Sequence, residues 1–164
     1  MRRGAALVLL AMLAGAGCSS SHPSSLAVSP GAVPAAAGGC PAAITPRALP
    51  VWARSGFNPP TQLMPYVLGV RGDIVAIVWA DHDALHAPSL ANRGNKILWV
   101  SRLSQQVPGP LVIRATLNGT GRTVAREVIG GPGPSTVDLP AAGCWTFDLS
   151  WSGHHDQLDL RYVA

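Results

Sequence analysis

The stretch Gly143-Cys144-Trp145-Thr146-Phe147-Asp148-Leu149-Ser150-Trp151 decides the fold class of this chain. Its large apolar side chains fall on one face of an extended backbone and its polar side chains on the other, as in a half-buried antiparallel strand. The segment Asp156–Val163 repeats the alternation at the end of the chain. The pattern predicts two strands that each bury one face against a core.

Similar strand signals recur along the preceding sequence, and Gly- and Pro-rich breakers separate them. They fit an all-β fold in which two antiparallel sheets pack face to face. Eight strands are predicted: Leu63–Arg71, Asp73–Ala80, Asn95–Leu103, Leu111–Leu117, Arg122–Ile129, Thr136–Leu139, Cys144–Trp151 and Asp156–Val163.

Three details of this sandwich follow from the pattern. The segment Asp73–Ala80 is apolar on both faces, which predicts a central strand. A two-residue turn at Asn118-Gly119 would place Ile113 opposite Val124. The Pro-rich stretch Cys40–Pro65 excludes a helix and permits only loops or edge strands.

The five tryptophans divide into two groups. Trp145 and Trp151 share the apolar face of their strand and belong to the core. Trp52, Trp79 and Trp99 have no such clear phase, so they could lie in the core or form a ligand platform. We expect the core for these three.

The N-terminus predicts export. Residues 1–17 combine a basic head, a short aliphatic core and small residues before Cys18, which is the pattern of a secretory signal peptide. The segment ending at Cys18 resembles the lipobox of bacterial lipoproteins, which implies that Cys18 is diacylated and becomes the mature N-terminus. The lipobox leucine usually stands three residues before the cysteine, whereas here that position is Gly15 and the leucine is Leu13. Cleavage after Ala14-Gly15-Ala16, which would release a secreted protein, is the alternative.

Residues 18–39 are rich in Ser, Pro, Ala and Gly, and they cannot bury enough apolar surface to fold alone. We expect a flexible tether with a root-mean-square reach of about 25 Å. It would connect the N-terminal lipid to a domain over residues 40–164. The predicted location is therefore the outer face of the cell membrane.

The net charge of +4 does not indicate a nucleic-acid protein. The basic residues are scattered along the chain, whereas phosphate binding needs a clustered basic face. Arg2 and Arg3 would also leave with the signal peptide. We expect no nucleic-acid partner.

Cysteine usage predicts one disulfide. Export places the chain in an oxidising compartment, where paired cysteines persist. Lipidation of Cys18 would leave Cys40 and Cys144 to pair with each other. Alternation puts Cys144 on the face opposite Trp145, where the Pro-rich N-terminal segment could cover it. Two free thiols are the alternative.

The stretch Gly143–Trp151, approached through the Pro-rich segment Pro132–Pro140, resembles the penultimate strand of bacterial immunoglobulin-like envelope domains. With the signal and tether, the whole chain resembles small actinobacterial envelope lipoproteins of uncharacterised function. The resemblance implies an immunoglobulin-like antiparallel β-sandwich of about seven or eight strands. It implies no activity, catalytic residue or cofactor.

Two polar stretches could bind a metal. Asp81, His82, Asp83 and His86 are weak candidate ligands for Zn²⁺ or Cu²⁺. The other stretch is His154-His155-Asp156. If each strand reverses direction, the two stretches lie at opposite ends of the sandwich, so we expect solvated polar loops and no metal.

The chain carries no motif of a common enzyme class: no G-x-S-x-G elbow and no Gly-rich loop that opens a helix. Arg71-Gly72-Asp73 spells an integrin-type tripeptide, but we expect it to form the turn before a core strand. We therefore expect a non-enzymatic protein without a cofactor.

The connection 81–94 is longer than most loops in compact domains, and such loops usually carry function. The sequence thus predicts a lipid-anchored binding or scaffolding module of the cell envelope, which contacts a protein or polymer through loop 81–94. A copper or zinc binder using residues 81–86 is the alternative.

Overall fold

The computed structural model describes residues 39–41, 43–59, 62–79 and 84–164. These residues form two packed β-sheets, which confirms the predicted all-β sandwich. The strands are β1 Pro46–Ala48, β2 Leu63–Leu68, β3 Ile74–Val78, β4 Leu85–His86, β5 Lys96–Ser101, β6 Leu111–Leu117, β7 Arg122–Val128, β8 Pro134–Thr136, β9 Gly143–Trp151 and β10 His154–Val163. One 3₁₀ turn, Val51–Ala53, follows β1 in the Pro-rich stretch where the sequence predicted no helix.

The first sheet has the order β1-β2-β3-β5-β8, and the second has the order β4-β10-β9-β6-β7. Described strand pairs are antiparallel except that β4 runs parallel to β10. Between the hairpins β6–β7 and β9–β10, the chain crosses to the first sheet to form β8. This crossing and the order β10-β9-β6-β7 match the arrangement of an immunoglobulin-like sandwich.

The main core lies between the two sheets and is rich in aromatic side chains, among them Trp99, Phe147 and Tyr162. Buried indole N–H groups need acceptors, and the core tryptophans have them. The three donor–acceptor pairs are Trp99 Nε1 to Ser135 Oγ at 3.0 Å, Trp145 Nε1 to the Ala141 carbonyl at 3.0 Å and Trp151 Nε1 to Ser101 Oγ at 3.1 Å.

Strand β3 is buried on both faces, as its composition predicted. Its inner face joins the main core, and its outer residues Val75 and Ile77 belong to a second, smaller core. Residues 49–57, which we call the covering segment, build this second core by placing Leu49 and Ala53 against the outer face of the first sheet. The Pro-rich stretch therefore has a packing role that the sequence did not reveal.

The hairpin β6–β7 differs from the predicted register. Leu117 pairs with Arg122, so the connection has four residues rather than two, and Val124 faces Ala115 instead of Ile113. Gly119 and Gly121 take positive φ angles of 79° and 70°, which allows this wider turn. The register moves by two residues, so each side chain keeps its predicted face.

Three edge details also differ from the prediction. Strand β8 begins two residues earlier than expected and ends at Thr136. One further backbone hydrogen bond, from the Val137 N–H to the Asn95 carbonyl, lies just beyond this end. Strands β1 and β4 were not predicted. They are three and two residues long, which is too short to show an alternation.

Candidate functional site

A groove of about 410 Å³ lies on the outer face of the first sheet. It occupies the part of that face formed by β5 and β8, next to the covering segment. Its lining residues are Trp79, Lys96, Ile97, Leu98, Pro134, Ser135 and Thr136. Leu98 also touches the second core, so the groove and the covered area share one apolar surface.

Strand alternation explains why these side chains meet. Trp79 follows β3 in the same phase as Val75 and Ile77, whose side chains lie on the outer face. In the pairing of β5 with β8, Lys96 lies opposite Thr136 and Leu98 lies opposite Pro134. The groove is therefore set by regular sheet geometry.

Trp79 is the largest side chain of the groove and is 53% exposed. Its ring contacts Phe57 of the covering segment, with centroids 6.2 Å apart and planes inclined by 54°. Trp99, on the neighbouring strand β5, is only 1% exposed. The expectation of a core position is confirmed for Trp99 and wrong for Trp79, because the covering segment does not extend over the end of β3.

The polar groups at the groove are few. Lys96 is exposed, and within the described part of the chain it makes no salt bridge. Ser135 points its hydroxyl inward to accept from the indole of Trp99. None of the described lining residues carries a carboxylate or a side-chain amide. The described part of the lining is thus mainly apolar, with one positive charge at the rim.

The returning end of loop 81–94 lies beside this groove, since Lys96 follows it in the sequence and lines the groove. The returning end is fixed by Asn95, which is buried. Its Oδ1 accepts the His86 N–H at 2.7 Å, and its Nδ2 donates to the His86 carbonyl at 2.9 Å and to Asp138 Oδ1 at 2.7 Å. The base of the loop is therefore held by a buried amide with its hydrogen bonds satisfied.

The predicted metal ligands are only partly visible. Asp81, His82 and Asp83 lie outside the described residues. His86 is described, and its buried Nδ1 atom has no hydrogen-bond partner among the described residues. Among the described residues there is no group of three or more side chains arranged to hold a metal ion.

The second histidine group lies at the other end of the sandwich, as predicted. His154 and His155 begin β10, whereas His86 pairs with Val163 at its far end. Asp156, next to them, has a structural role. It is 5% exposed and accepts the backbone N–H groups of Arg71, Asp73 and Gln157 at 2.8 to 3.0 Å.

The tripeptide Arg71-Gly72-Asp73 forms part of the turn between β2 and β3, as expected. The side chain of Asp73 is 13% exposed and binds Arg102 at 2.6 Å. The carboxylate that an adhesion motif would present is therefore engaged within the protein.

The predicted disulfide between Cys40 and Cys144 is confirmed, with a Cα–Cα distance of 5.4 Å. Cys144 Sγ also accepts from the Cys40 N–H at 3.0 Å and from Asn118 Nδ2 at 3.3 Å. Arg161 donates to the carbonyls of Cys40 and Pro41. These contacts fix the start of the domain on the outer face of the second sheet. The proposed lipidation site, Cys18, lies outside the described residues.

Tyr162 is the core residue with a shifted pKa. Burial raises the pKa of its phenol far above the ordinary value, and the carboxylate of Asp138 raises it further. The hydroxyl donates to the Val137 carbonyl at 2.7 Å. Tyr162 is thus a neutral hydrogen-bond donor that holds the segment after β8 against β10.

Comparison with known proteins finds no matching family model, no matching curated protein and no matching solved structure. The functional argument therefore depends on the geometry of this chain. Among the described residues, no helix has the length and apolar character needed to cross a membrane.

Sequence reasoning did not identify the groove, and its choice of loop 81–94 as a recognition surface stays a prediction. The position of Trp79 could have been predicted, because Trp79 shares the alternation of Val75 and Ile77 and therefore lies on the same face of the sheet. The other lining residues could not have been predicted from the sequence, since Lys96, Pro134 and Thr136 meet only through the pairing of β5 with β8.

Proposed function

We propose that this chain is a lipid-anchored extracytoplasmic binding or scaffolding module of the bacterial cell envelope. Its binding site is the groove beside Trp79, together with loop 81–94. The half-exposed Trp79 in an apolar groove is the observation that carries this proposal.

A large aromatic side chain in a concave apolar surface is typical of a binding site, because contact with a ligand removes much apolar area from water. Phe57 packs beside one side of the Trp79 ring, so part of the side-chain entropy is already lost before a ligand binds. The adjoining loop supplies further contact surface. No catalytic group, cofactor or nucleic acid is needed for this activity.

The proposed anchor is the diacylated Cys18, followed by residues 18–39 as a tether. The disulfide places the start of the domain near the end of the sandwich where loop 81–94 lies. Cys144 pairs with Arg161, two residues before Val163, which is the partner of His86. Tether and loop would therefore share one end of the domain.

Site-specific photo-crosslinking in intact cells tests the proposal. A photoreactive residue replaces Thr136 at the groove or Leu90 in the loop, and the control position is Ile129, which is 86% exposed at the opposite end of the sandwich. We expect the same crosslinked product from Thr136 and Leu90, its loss when Trp79→Ala is added, and none from Ile129. Equal products at all three positions would contradict the proposal. Cys18→Ala should move the protein from the membrane fraction to the medium.

A metal-binding function is the second candidate, and it is carried by the buried, unpartnered Nδ1 of His86. A neutral imidazole nitrogen without a hydrogen bond is a suitable ligand for Zn²⁺ or Cu²⁺. Asp81, His82 and Asp83 would supply the remaining ligands. Calorimetry should then show binding tighter than about 100 μM that His86→Ala removes and His154→Ala retains. Binding that is absent, or equal in both variants, excludes this function.

A further inference from the structure

We propose that the end of the sandwich opposite loop 81–94 holds a second binding site, in which two adjoining cavities around His155 take an uncharged glycan chain. This inference goes beyond the proposed function, because the site lies apart from the groove beside Trp79. Four observations carry it.

The first observation is the position of the two cavities. A cavity of about 510 Å³ lies between the loop that precedes β6 and the turn that joins β9 to β10. A second cavity, of about 300 Å³, lies between the outer face of β9 and β10 and the turn that joins β2 to β3. His155 lines both, so the two cavities adjoin. Their sizes are those of ligand sites in proteins, and two adjoining cavities suit a ligand made of successive units.

The second observation is the mixed lining of the larger cavity. Pro108, Pro110 and Val112 form an apolar wall. Beside this wall stands the hydroxyl of Ser150, which lies opposite both Val112 of β6 and His155 of β10 in the strand register. A sugar ring has the matching character, because its C–H groups are apolar and its hydroxyl groups are polar.

The third observation is a set of planar polar side chains in the smaller cavity: the carboxylate of Asp148, the amide of Gln157 and the guanidinium of Arg71. Gln157 Nε2 donates to Asp148 Oδ1 at 2.7 Å, which orients the two groups relative to each other. Each of the three side chains presents two or more polar atoms in one plane, so each can hydrogen-bond neighbouring hydroxyls of one sugar ring.

The charges of the smaller cavity favour an uncharged ligand. Arg71 and Asp148 bring charges of opposite sign to the same lining. The carboxylate of Asp73 binds Arg102 at 2.6 Å and lies 3.8 Å from Arg71 Nε, so Arg71 is held only loosely. A charged ligand would be attracted by one of the two lining groups and repelled by the other. A hydroxyl both donates and accepts, so it is complemented by both.

The fourth observation separates a glycan from a peptide that adds a strand to a sheet. Such a peptide pairs with the backbone of an exposed strand edge. Beneath the cavities, β9 is paired with β6 on one side and with β10 on the other. The outer edge of β10 is engaged there as well, since the Val70 N–H donates to the Gln157 carbonyl at 2.8 Å. The site therefore offers side chains to its ligand, as glycan recognition requires.

The test uses the full chain, purified in detergent and labelled with ¹⁵N. The probes are cellohexaose and maltohexaose, two uncharged glycans that differ in linkage, and glucose is the single-unit control. Hyaluronan hexasaccharide, which carries carboxylates, is the charged control. Binding is followed by the backbone amide signals of His155 and Arg71, and the Leu98 amide reports on the groove beside Trp79.

We expect at least one hexaose to shift the His155 and Arg71 signals in a saturable way and to bind at least about tenfold more tightly than glucose, because it reaches both cavities. Asp148→Ala should weaken binding by about tenfold or more, and Gln157→Ala by about threefold. The matched control is Asp159→Ala, which removes a carboxylate from the same face outside the cavities and should leave binding unchanged. An unchanged spectrum outside the cavities shows that the Asp148 variant is folded.

No saturable shift with either hexaose overturns the inference, and so does equal or tighter binding of the hyaluronan hexasaccharide. A shift that Trp79→Ala removes and Asp148→Ala retains would place the glycan in the groove and would also overturn it. A discrete crosslinked protein from a photoreactive residue at Val112 in intact cells would show that the cavities hold a protein segment instead. The photo-crosslinks at Thr136 and Leu90 test the groove independently, so this site can fail while the proposed function stands.

Discussion

The outer faces of the two sheets differ: that of the first sheet is apolar and partly covered by another part of the chain, whereas that of the second sheet is polar. In the first sheet, β3 is apolar at every position, and its outer face is shielded by the covering segment. In the second sheet, β9 and β10 alternate strictly, and their outer face is polar and needs no cover. The comparison shows where the apolar groove lies: an apolar face that is only partly covered leaves a groove beside its cover, whereas the cavities that reach the second sheet's outer face lie around His155, at the end of the sandwich.

The polar face is held by cross-strand hydrogen bonds. Thr146 Oγ1 donates to Asp159 Oδ1 at 2.6 Å, and Gln157 Nε2 donates to Asp148 Oδ1 at 2.7 Å. The first pair is half-buried and the second is exposed. Cross-strand pairs of this kind each contribute a few tenths of a kcal/mol to about 1 kcal/mol. This polar face needs little contact with other parts of the chain, apart from the attachment of the N-terminal segment through Cys40.

The largest effect is expected from that attachment. The double variant Cys40→Ser/Cys144→Ser should lower the free energy of unfolding by about 4 to 5 kcal/mol, because the disulfide closes a loop with a sequence separation of 104 residues. Urea unfolding followed by tryptophan fluorescence measures this loss. Wild-type protein kept reduced should give the same curve as the variant. A loss below about 1 kcal/mol would show that the N-terminal segment adds little to the polar face.

The second prediction concerns the covered face. Leu49→Ala should lower the free energy of unfolding by about 3 kcal/mol, because a 2% exposed side chain leaves a cavity under the covering segment. The control is Val112→Ala on the outer face of the second sheet, which is 36% exposed and should cost less than about 1 kcal/mol. Similar losses for both variants would remove the distinction between the covered and the open face.

The sequence predicted the second sheet more accurately than the first. The four long strands of the second sheet, β6, β7, β9 and β10, were predicted to within two residues at each end, because alternation over seven or more positions leaves one possible face. The register of β6 with β7 was wrong by two residues, because nothing in Asn118-Gly119 shows that Gly121 also belongs to the turn. The disulfide was predicted from the number of cysteines, since lipidation of Cys18 would leave two, and from the face of the strand on which Cys144 lies.

The first sheet was harder to predict, and the site depends on it. The covering segment shows no period, because a short irregular stretch with one 3₁₀ turn packs through isolated residues such as Leu49 and Ala53. The exposure of Trp79 depends on where this segment ends, which is a tertiary property. Loop 81–94 could be chosen from its length alone, but the groove at its base required the pairing of β5 with β8.

The third prediction concerns a polar group that joins the two sheets. Asp156 of β10 holds the turn between β2 and β3 through the N–H groups of Arg71 and Asp73. Asp156→Ala should lower the free energy of unfolding by about 2 kcal/mol, because these donors lose their acceptor. Asp156→Asn keeps one acceptor oxygen and should cost about half as much. Asp148→Ala on the open polar face is the control, and a loss equal to that of Asp156→Ala would contradict the assigned role.

The smallest effect is expected at the groove. Trp79→Ala removes a half-exposed ring whose described aromatic contact is Phe57, so the free energy of unfolding should fall by less than about 1 kcal/mol. The same urea experiment measures it, with Leu49→Ala as the reference for a residue that the fold requires. A stable variant that no longer gives the crosslinks at Thr136 and Leu90 would show that Trp79 is kept for binding. A loss in the free energy of unfolding as large as that of Leu49→Ala would instead show that Trp79 belongs to the second core. The apolar outer face of β3 would then be covered along its whole length.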